Sequence, residues 1–180
     1  MSDQKVDVIF LFDSKDVKMA ETYVAELKGR LLNFNNIKII DVGAVNLSFK
    51  QRLLQVLETN NDFTCIVCSG DFHCDLCGFI DLMAAKHILW ETQAFTCNLT
   101  SLNSSIVTVE KITKEVCAVQ HCVAEDLVKK TALNFQVYET VFLEKLLKKI
   151  DFDDVSSLLM AFRRLPEVND LRNVSLFWLI

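Results

Sequence analysis

Val6-Asp7-Val8-Ile9-Phe10-Leu11-Phe12-Asp13-Ser14-Lys15-Asp16 decides the reading of this chain: a strand apolar at every position but Asp7 runs directly into a short polar turn. A strand with apolar side chains on both faces has to be covered on both faces, the mark of a largely parallel sheet between layers of helix. The turn then lies at the carboxyl edge of the sheet, where open α/β folds place their binding surfaces.

Outward from this strand, Val17, Ala20, Tyr23, Val24, Leu27 and Leu31 form a helical stripe, closed by Gly29 and the asparagines near position 35. Ile37 to Val42 reads as a second strand, Ser48 to Leu57 as a helix with its stripe on Leu53, Leu54 and Leu57, and Phe63 to Cys68 as a buried third strand. A helix beginning at Asp75 or Gly78 carries Phe79, Met83, His87 and Ile88; Ser105 to Val109 follows as a strand, Thr113 to Val123 as a helix, Phe135 to Tyr138 as a short strand and Glu139 to Ile150 as a helix. This alternation predicts a parallel sheet with right-handed crossovers, a flavodoxin-like three-layer α/β sandwich of five strands. Val8, Phe10, Ile39, Ile66 and Val107 are its expected buried positions.

The composition narrows the classes of function. The 180 residues are 51% hydrophobic and 24% charged, enough to fill the core of one domain and unlike a disordered chain. A net charge of −5 without a dense basic run argues against nucleic acid as a partner, and no apolar run is long enough to span a membrane. Met1 to Lys5 leads straight into the first strand without a signal peptide, so the seven cysteines are expected to be reduced thiols in the cytoplasm.

Several residues also resemble the boxes of the Toll/interleukin-1 receptor (TIR) domain family. Asp7, the aromatic Phe12 and Asp16 match its first box, Tyr-Asp-Ala-Phe-x-Ser-Tyr-Ser-x-x-Asp, without gaps. Ser69 and Phe72 match the Ser-x-x-aromatic after the third core strand, Asp81-Leu82 stands where a helix carries Glu-Leu, and Phe142-Leu143-Glu144-Lys145-Leu146 is similar to the last box, Phe-Trp-x-x-Leu. The resemblance covers residues 6–150 and implies strand order 2-1-3-4-5 in an all-parallel sheet. It departs from the family at Asp41-Val42-Gly43-Ala44-Val45-Asn46, which lacks the family's Arg-Asp-x-x-Pro-Gly, and so looks more like the divergent domains of B-cell scaffold adaptors and of interleukin-17 signalling.

What the resemblance implies is a cytoplasmic adaptor or scaffold for signal transduction, of the kind used in innate immunity, that binds protein partners: other TIR-like domains or itself, as an oligomer. The expected interaction surface comprises the loops after the first three strands: Asp13, Ser14, Lys15 and Asp16; Val42, Gly43, Ala44, Val45 and Asn46; Asp71, Phe72, His73 and Asp75. No cofactor is called for, since neither G-x-G-x-x-G nor a P-loop is present. The alternative is an NAD-cleaving enzyme using Asp81, where TIR enzymes carry a catalytic glutamate; aspartate is a methylene shorter, which weakens positioning. A second alternative is an RNA-associated module like the anticodon-binding domains of class II synthetases, distinguished by an antiparallel edge strand.

The cysteines at 65, 68, 74 and 77 have the look of a zinc knuckle, with His73 adjacent. On a strand, however, Cys65 and Cys68 point to opposite faces and cannot ligate one ion, so buried structural thiols and no metal site are expected.

Residues 151–180 follow the TIR-like unit as a helical extension, expected to lie outside it. Asp151 to Leu165 reads as an amphipathic helix with acidic caps and a stripe of Val155, Leu158, Leu159 and Phe162, ended by Pro166. With the apolar Leu176-Phe177-Trp178-Leu179, this surface is expected to drive self-association.

Overall fold

All seven residues of β1 (Val6–Phe12) are buried, so the strand needs neighbours at both edges and cover on both faces. The computed structural model describes residues 6–12, 17–60, 62–68, 80–82, 85–86, 89, 96–102, 110–111, 116–120, 133–169 and 174–179, and supplies both. β1 pairs in parallel with β3 (Phe34–Asp41), from Val8↔Ile37 to Phe12↔Asp41, and in parallel with β4 (Phe63–Cys68), from Asp7↔Thr64 to Leu11↔Cys68. Helix α1 (Val17–Arg30), followed by the two-residue β2 (Leu31–Leu32), joins β1 to β3, and α2 (Phe49–Glu58) joins β3 to β4.

The chain thus steps from β1 to one neighbour and then back across it to the other. A crossover of constant hand then places the two helices on opposite faces. Val8, Phe10, Cys65 and Val67 pack with Ala20, Val24 and Leu27 of α1 on one face; Ile9, Leu11, Ile66 and Cys68 pack with Leu53 and Leu57 of α2 on the other. The α/β alternation read from the sequence holds here.

Beyond β4 the sheet is mixed. Its order is β3-β1-β4-β9-β6-β10-β8-β7, where β6 is Thr96–Leu102, β7 Glu110–Lys111, β8 Val116–Gln120, β9 Gln136–Glu139 and β10 Val174–Leu179. β9 runs antiparallel to both β4 and β6, placing Val137 between Cys65 and Cys97; β10 is parallel to β6 and antiparallel to β8, which is antiparallel to β7. The expected all-parallel, five-stranded sheet in order 2-1-3-4-5 is therefore corrected after its third strand. The cause is where β9 starts. A parallel neighbour must be carried back to the amino edge by a crossover, whereas residues 133–135 already touch the carboxyl half of β4, with Phe135 N donating to Ile66 O at 2.8 Å. From there the chain can only run back down. Of the two edge strands, β3 pairs in parallel with β1 and β7 pairs antiparallel with β8.

Smaller corrections follow the same long-range pairing. Val116–Gln120, within the expected helix from Thr113, is a strand between β10 and β7. Ile80–Asp81 forms β5, paired with β2, before helical residues Leu82, Ala85 and Leu89, all buried against the α1 layer. Phe79, Met83, His87 and Ile88, and the strand expected at 105–109 with Val107, lie outside the described residues. Val8, Phe10 and Ile66 are fully buried, but Ile39 is 52% exposed, because β3 is the edge strand and reaches past the cover of α1.

The C-terminal extension is helical only in part. α3 (Thr140–Lys148) is followed by α4 (Val155–Arg163), whose Asp154 forms a capping box with Ser157, as the acidic cap predicted. Pro166 opens the short α5 (Pro166–Asn169), where its missing N–H costs nothing. Leu158, Phe162, Leu165 and Val168 lie in the same core as Ile9 and Leu11, with Phe162 edge-on to Tyr138 at 5.9 Å. The expected outlying helical tail is thus replaced by a helix on the sheet and a strand, β10, within it.

Candidate interaction surface at the carboxyl edge

The reversal of chain direction around β1 creates a switch point between β1 and β4, and open α/β sheets bind ligands at the carboxyl ends of such strands. Those ends are Phe12 and Cys68. Asp13, Ser14, Lys15 and Asp16, and likewise Ser69, Asp71, Phe72, His73 and Asp75, lie outside the described residues. The third loop, after β3, is described in full.

That loop is built by hydrogen bonds rather than by packing. Val42 N donates to Phe12 O at 2.8 Å, tying its start to the end of β1. The Asp41 carboxylate accepts from Gly43 N at 2.9 Å, an Asx turn that redirects the chain. Ser48 then caps α2 in a box with Gln51, each side chain accepting from the other's backbone N–H at 3.2 Å. One turn into α2, Arg52 reaches back under the loop. Its Nη2 donates to Asp41 O and Val42 O at 2.9 Å each, and its Nη1 to Ala44 O and Leu47 O. A guanidinium offers rigid, forked donors that a lysine lacks, so four carbonyls converge on one cation.

The result is a fixed knuckle. Val42 packs partly into the α2-side core, while Gly43, Ala44, Val45 and Asn46 face solvent, with Val45 97% exposed and Leu47 41% exposed. The arrangement presents an apolar side chain on an immobilised backbone, which suits docking rather than bond chemistry. Sequence reasoning named the loop but missed Arg52. The sequence offered no signal beyond an arginine four residues past the Ser48 cap.

Asp81 stands elsewhere. Its register partner is Leu32, two residues before Phe34, which is paired with Val6 at the amino edge. The length of β3 separates it from Phe12 and Asp41, on the order of 20 Å at the strand rise. The NAD-cleaving alternative needs Asp81 near the carboxyl end of β1, and the backbone pairs it instead with Leu32, beyond the amino end of β3.

At the end of β4, Cys68 N donates to Asn134 Oδ1 at 2.8 Å, between two residues held at positive φ, Leu133 at 79° and Phe135 at 53°. Leu133 N donates to the Tyr138 hydroxyl at 3.3 Å, which donates to Gln136 Oε1 at 2.9 Å, so the buried polar groups satisfy one another. Cys65 faces the α1-side core and Cys68 the α2-side core, the opposite-face geometry expected of them. Burial, with Cys97 and Cys68 nearby, pushes the Cys65 thiol up; burial pushes Cys97 up to about 12. These are inert thiols. Among the described residues no three His, Cys, Asp or Glu side chains converge as a metal site, and Cys74, Cys77 and His73 lie outside them. Among the described residues, also, no helix is long and apolar enough to cross a membrane. Compared with known proteins, the chain matches no family model, and no curated protein matches its sequence.

Proposed function

We propose that this protein is a cytoplasmic signalling adaptor or scaffold that binds TIR-like domains, its own or a partner's, through the carboxyl edge of the β3-β1-β4 sheet. The observation that carries the reading is the braced loop after β3, where Arg52 fixes four carbonyls and leaves Val45 97% exposed. An exposed apolar residue on a backbone that is already ordered binds with little further entropy cost, which is how interface anchors work. The family resemblance supplies the partner class, and among strands it is matched by the parallel trio β3, β1 and β4; the mixed sheet beyond β4 lends it no support. The contact is centred on Val45, with Leu47 and Asn46 beside it.

Val45→Glu tests the reading without threatening the fold, since the side chain touches almost nothing. Association with itself and with a panel of TIR-like domains, measured by light scattering and biosensor titration, is expected to weaken at least tenfold. No association of the unaltered chain at tens of micromolar, or association indifferent to Val45→Glu, overturns it.

A further inference from the structure

The knuckle after β3 is anchored at both of its ends. Val42 N on Phe12 O ties its start to β1, and its far end runs into the first turn of α2, which carries the Ser48–Gln51 box and the Arg52 brace. That turn is packed in its turn by a residue distant in the chain. Phe49, the first residue of α2, meets Phe152 edge-on at 5.3 Å, and both rings are buried in the α2-side core. Beside them Lys50 Nζ donates to Asp151 Oδ1 at 2.8 Å, an exposed pair that adds little. Phe152 itself belongs to no helix or strand: it lies in the connection between α3 and α4, residues 149–154. Lys149 ends α3, Asp154 caps α4, and Leu158 and Phe162 hold α4 on the sheet without it. A ring on such a connection lifts without opening a ladder of backbone bonds, so it comes away at lower cost than a side chain of a helix or central strand.

We propose that Phe152 is a latch on the knuckle: seated against Phe49 it keeps the first turn of α2, and with it the Arg52 brace, in place for docking at Val45, and lifted it lets the knuckle loosen. Phe49 follows the Ser48 cap directly and stands three residues before Arg52, so all three share one turn of helix, where residues so spaced are neighbours. When the Phe49 ring loses its cover, the turn frays and takes both the cap and the brace with it. Coupling of this kind is reciprocal: a partner seated on Val45 favours the docked Phe152 as strongly as Phe152 favours the partner. The α3–α4 connection thus becomes a control point, since a change that draws residues 149–154 away lowers affinity at Val45 without touching it. For its use the latch rests on the adaptor reading; for its mechanism it needs only these contacts.

The experiment reads amide exchange of the full chain at about one micromolar, which follows local opening without calling on association. Phe152→Ala is expected to speed exchange of the segment spanning residues 42–52 about tenfold; Phe162→Ala, which empties a fully buried site further along the same extension, leaves that segment as it was and speeds β1 instead. Phe152→Leu keeps most of the ring's volume, serves where the alanine variant does not fold, and is expected to give about threefold. Exchange at 42–52 unchanged by either Phe152 variant, or accelerated equally by Phe162→Ala, overturns the latch. A TIR-like domain whose binding depends on Val45 is expected to bind Phe152→Ala about tenfold more weakly. Binding undiminished by Phe152→Ala overturns the latch and leaves the adaptor reading standing, whereas no binding by the unaltered chain overturns the adaptor reading and leaves the latch to be decided by exchange alone.

Discussion

Removing the Arg52 guanidinium by Arg52→Ala strips the loop after β3 of the cation on which four carbonyls converge. The two bonds to Ala44 O and Leu47 O are exposed, and water replaces them at little cost. Those to Asp41 O and Val42 O are part-buried, and a hydrogen bond to a charged group is worth about 1.5–3 kcal/mol there, so two at the lower end give a loss of about 3 kcal/mol. Urea denaturation at neutral pH, read by far-UV circular dichroism, measures the loss; amide exchange at residues 42–47 measures where it falls. Faster exchange confined to the loop is expected, with the sheet unaltered. Arg52→Lys restores only part, because an ammonium is a point donor and cannot span four acceptors. A loss below about 0.5 kcal/mol with unchanged loop exchange refutes the brace and, with it, the preorganised knuckle.

Three further outcomes are expected. Phe10→Ala empties a fully buried site on the central strand, where the ring stacks on Phe12 at 6.4 Å, and should cost about 3–5 kcal/mol in chemical denaturation; less than about 1 kcal/mol contradicts the burial. A chain ending at Ile150 loses Leu158 and Phe162 from the core and an interior strand from the sheet, so it should show no cooperative unfolding transition; a transition near that of the full chain makes the extension dispensable. Cys97 keeps its proton to about 12 in the folded state, against 9.0 ordinarily, so the stability it contributes is intact below pH about 9 and falls as pH rises to about 12, by about 1.4 kcal/mol per pH unit; the urea midpoint should drop over that window, less steeply in Cys97→Ala, and equal slopes argue against the burial.

The segments legible in the sequence are those whose neighbours lie next along the chain. β1, α1, β3, α2 and β4 each carry a periodic or unbroken apolar pattern, and their connections are short, so the pattern and the rule of handedness place them almost without other information. Even there the edge is not read out: Ile39 is expected to be buried like Ile66 although Lys38 and Asp41 flank it, and its exposure goes with β3 having no strand beyond it among the described residues. After β4 the decisive facts are pairings between distant residues. Nothing local in Gln136-Val137-Tyr138-Glu139 says that Val137 sits between Cys65 and Cys97, and Val116–Gln120 reads equally as a helix turn until β10 is seen beside it. The loop after β3 was legible as a surface because turns without a periodic pattern face solvent; its stiffness was not, because it comes from Arg52 in the next helix.

The extension shows why burial patterns report a need for cover without naming the cover. Val155, Leu158, Leu159 and Phe162 demand a partner, and the sequence leaves two answers: another molecule, or this sheet. The sheet supplies it, since α2 and α3 leave room on that face for α4, whose Phe162 meets Tyr138 edge-on. The segment Leu176-Phe177-Trp178-Leu179 is taken into the sheet as a strand paired on both edges, with Ser175 opposite Thr96 on β6 and Val174 opposite Gln120 on β8. With the α4 stripe covered inside one chain, that stripe no longer supplies a motive for self-association. Among the described residues, Val45 on the knuckle is the large apolar side chain most open to solvent, which makes it the place at which to test the proposed association.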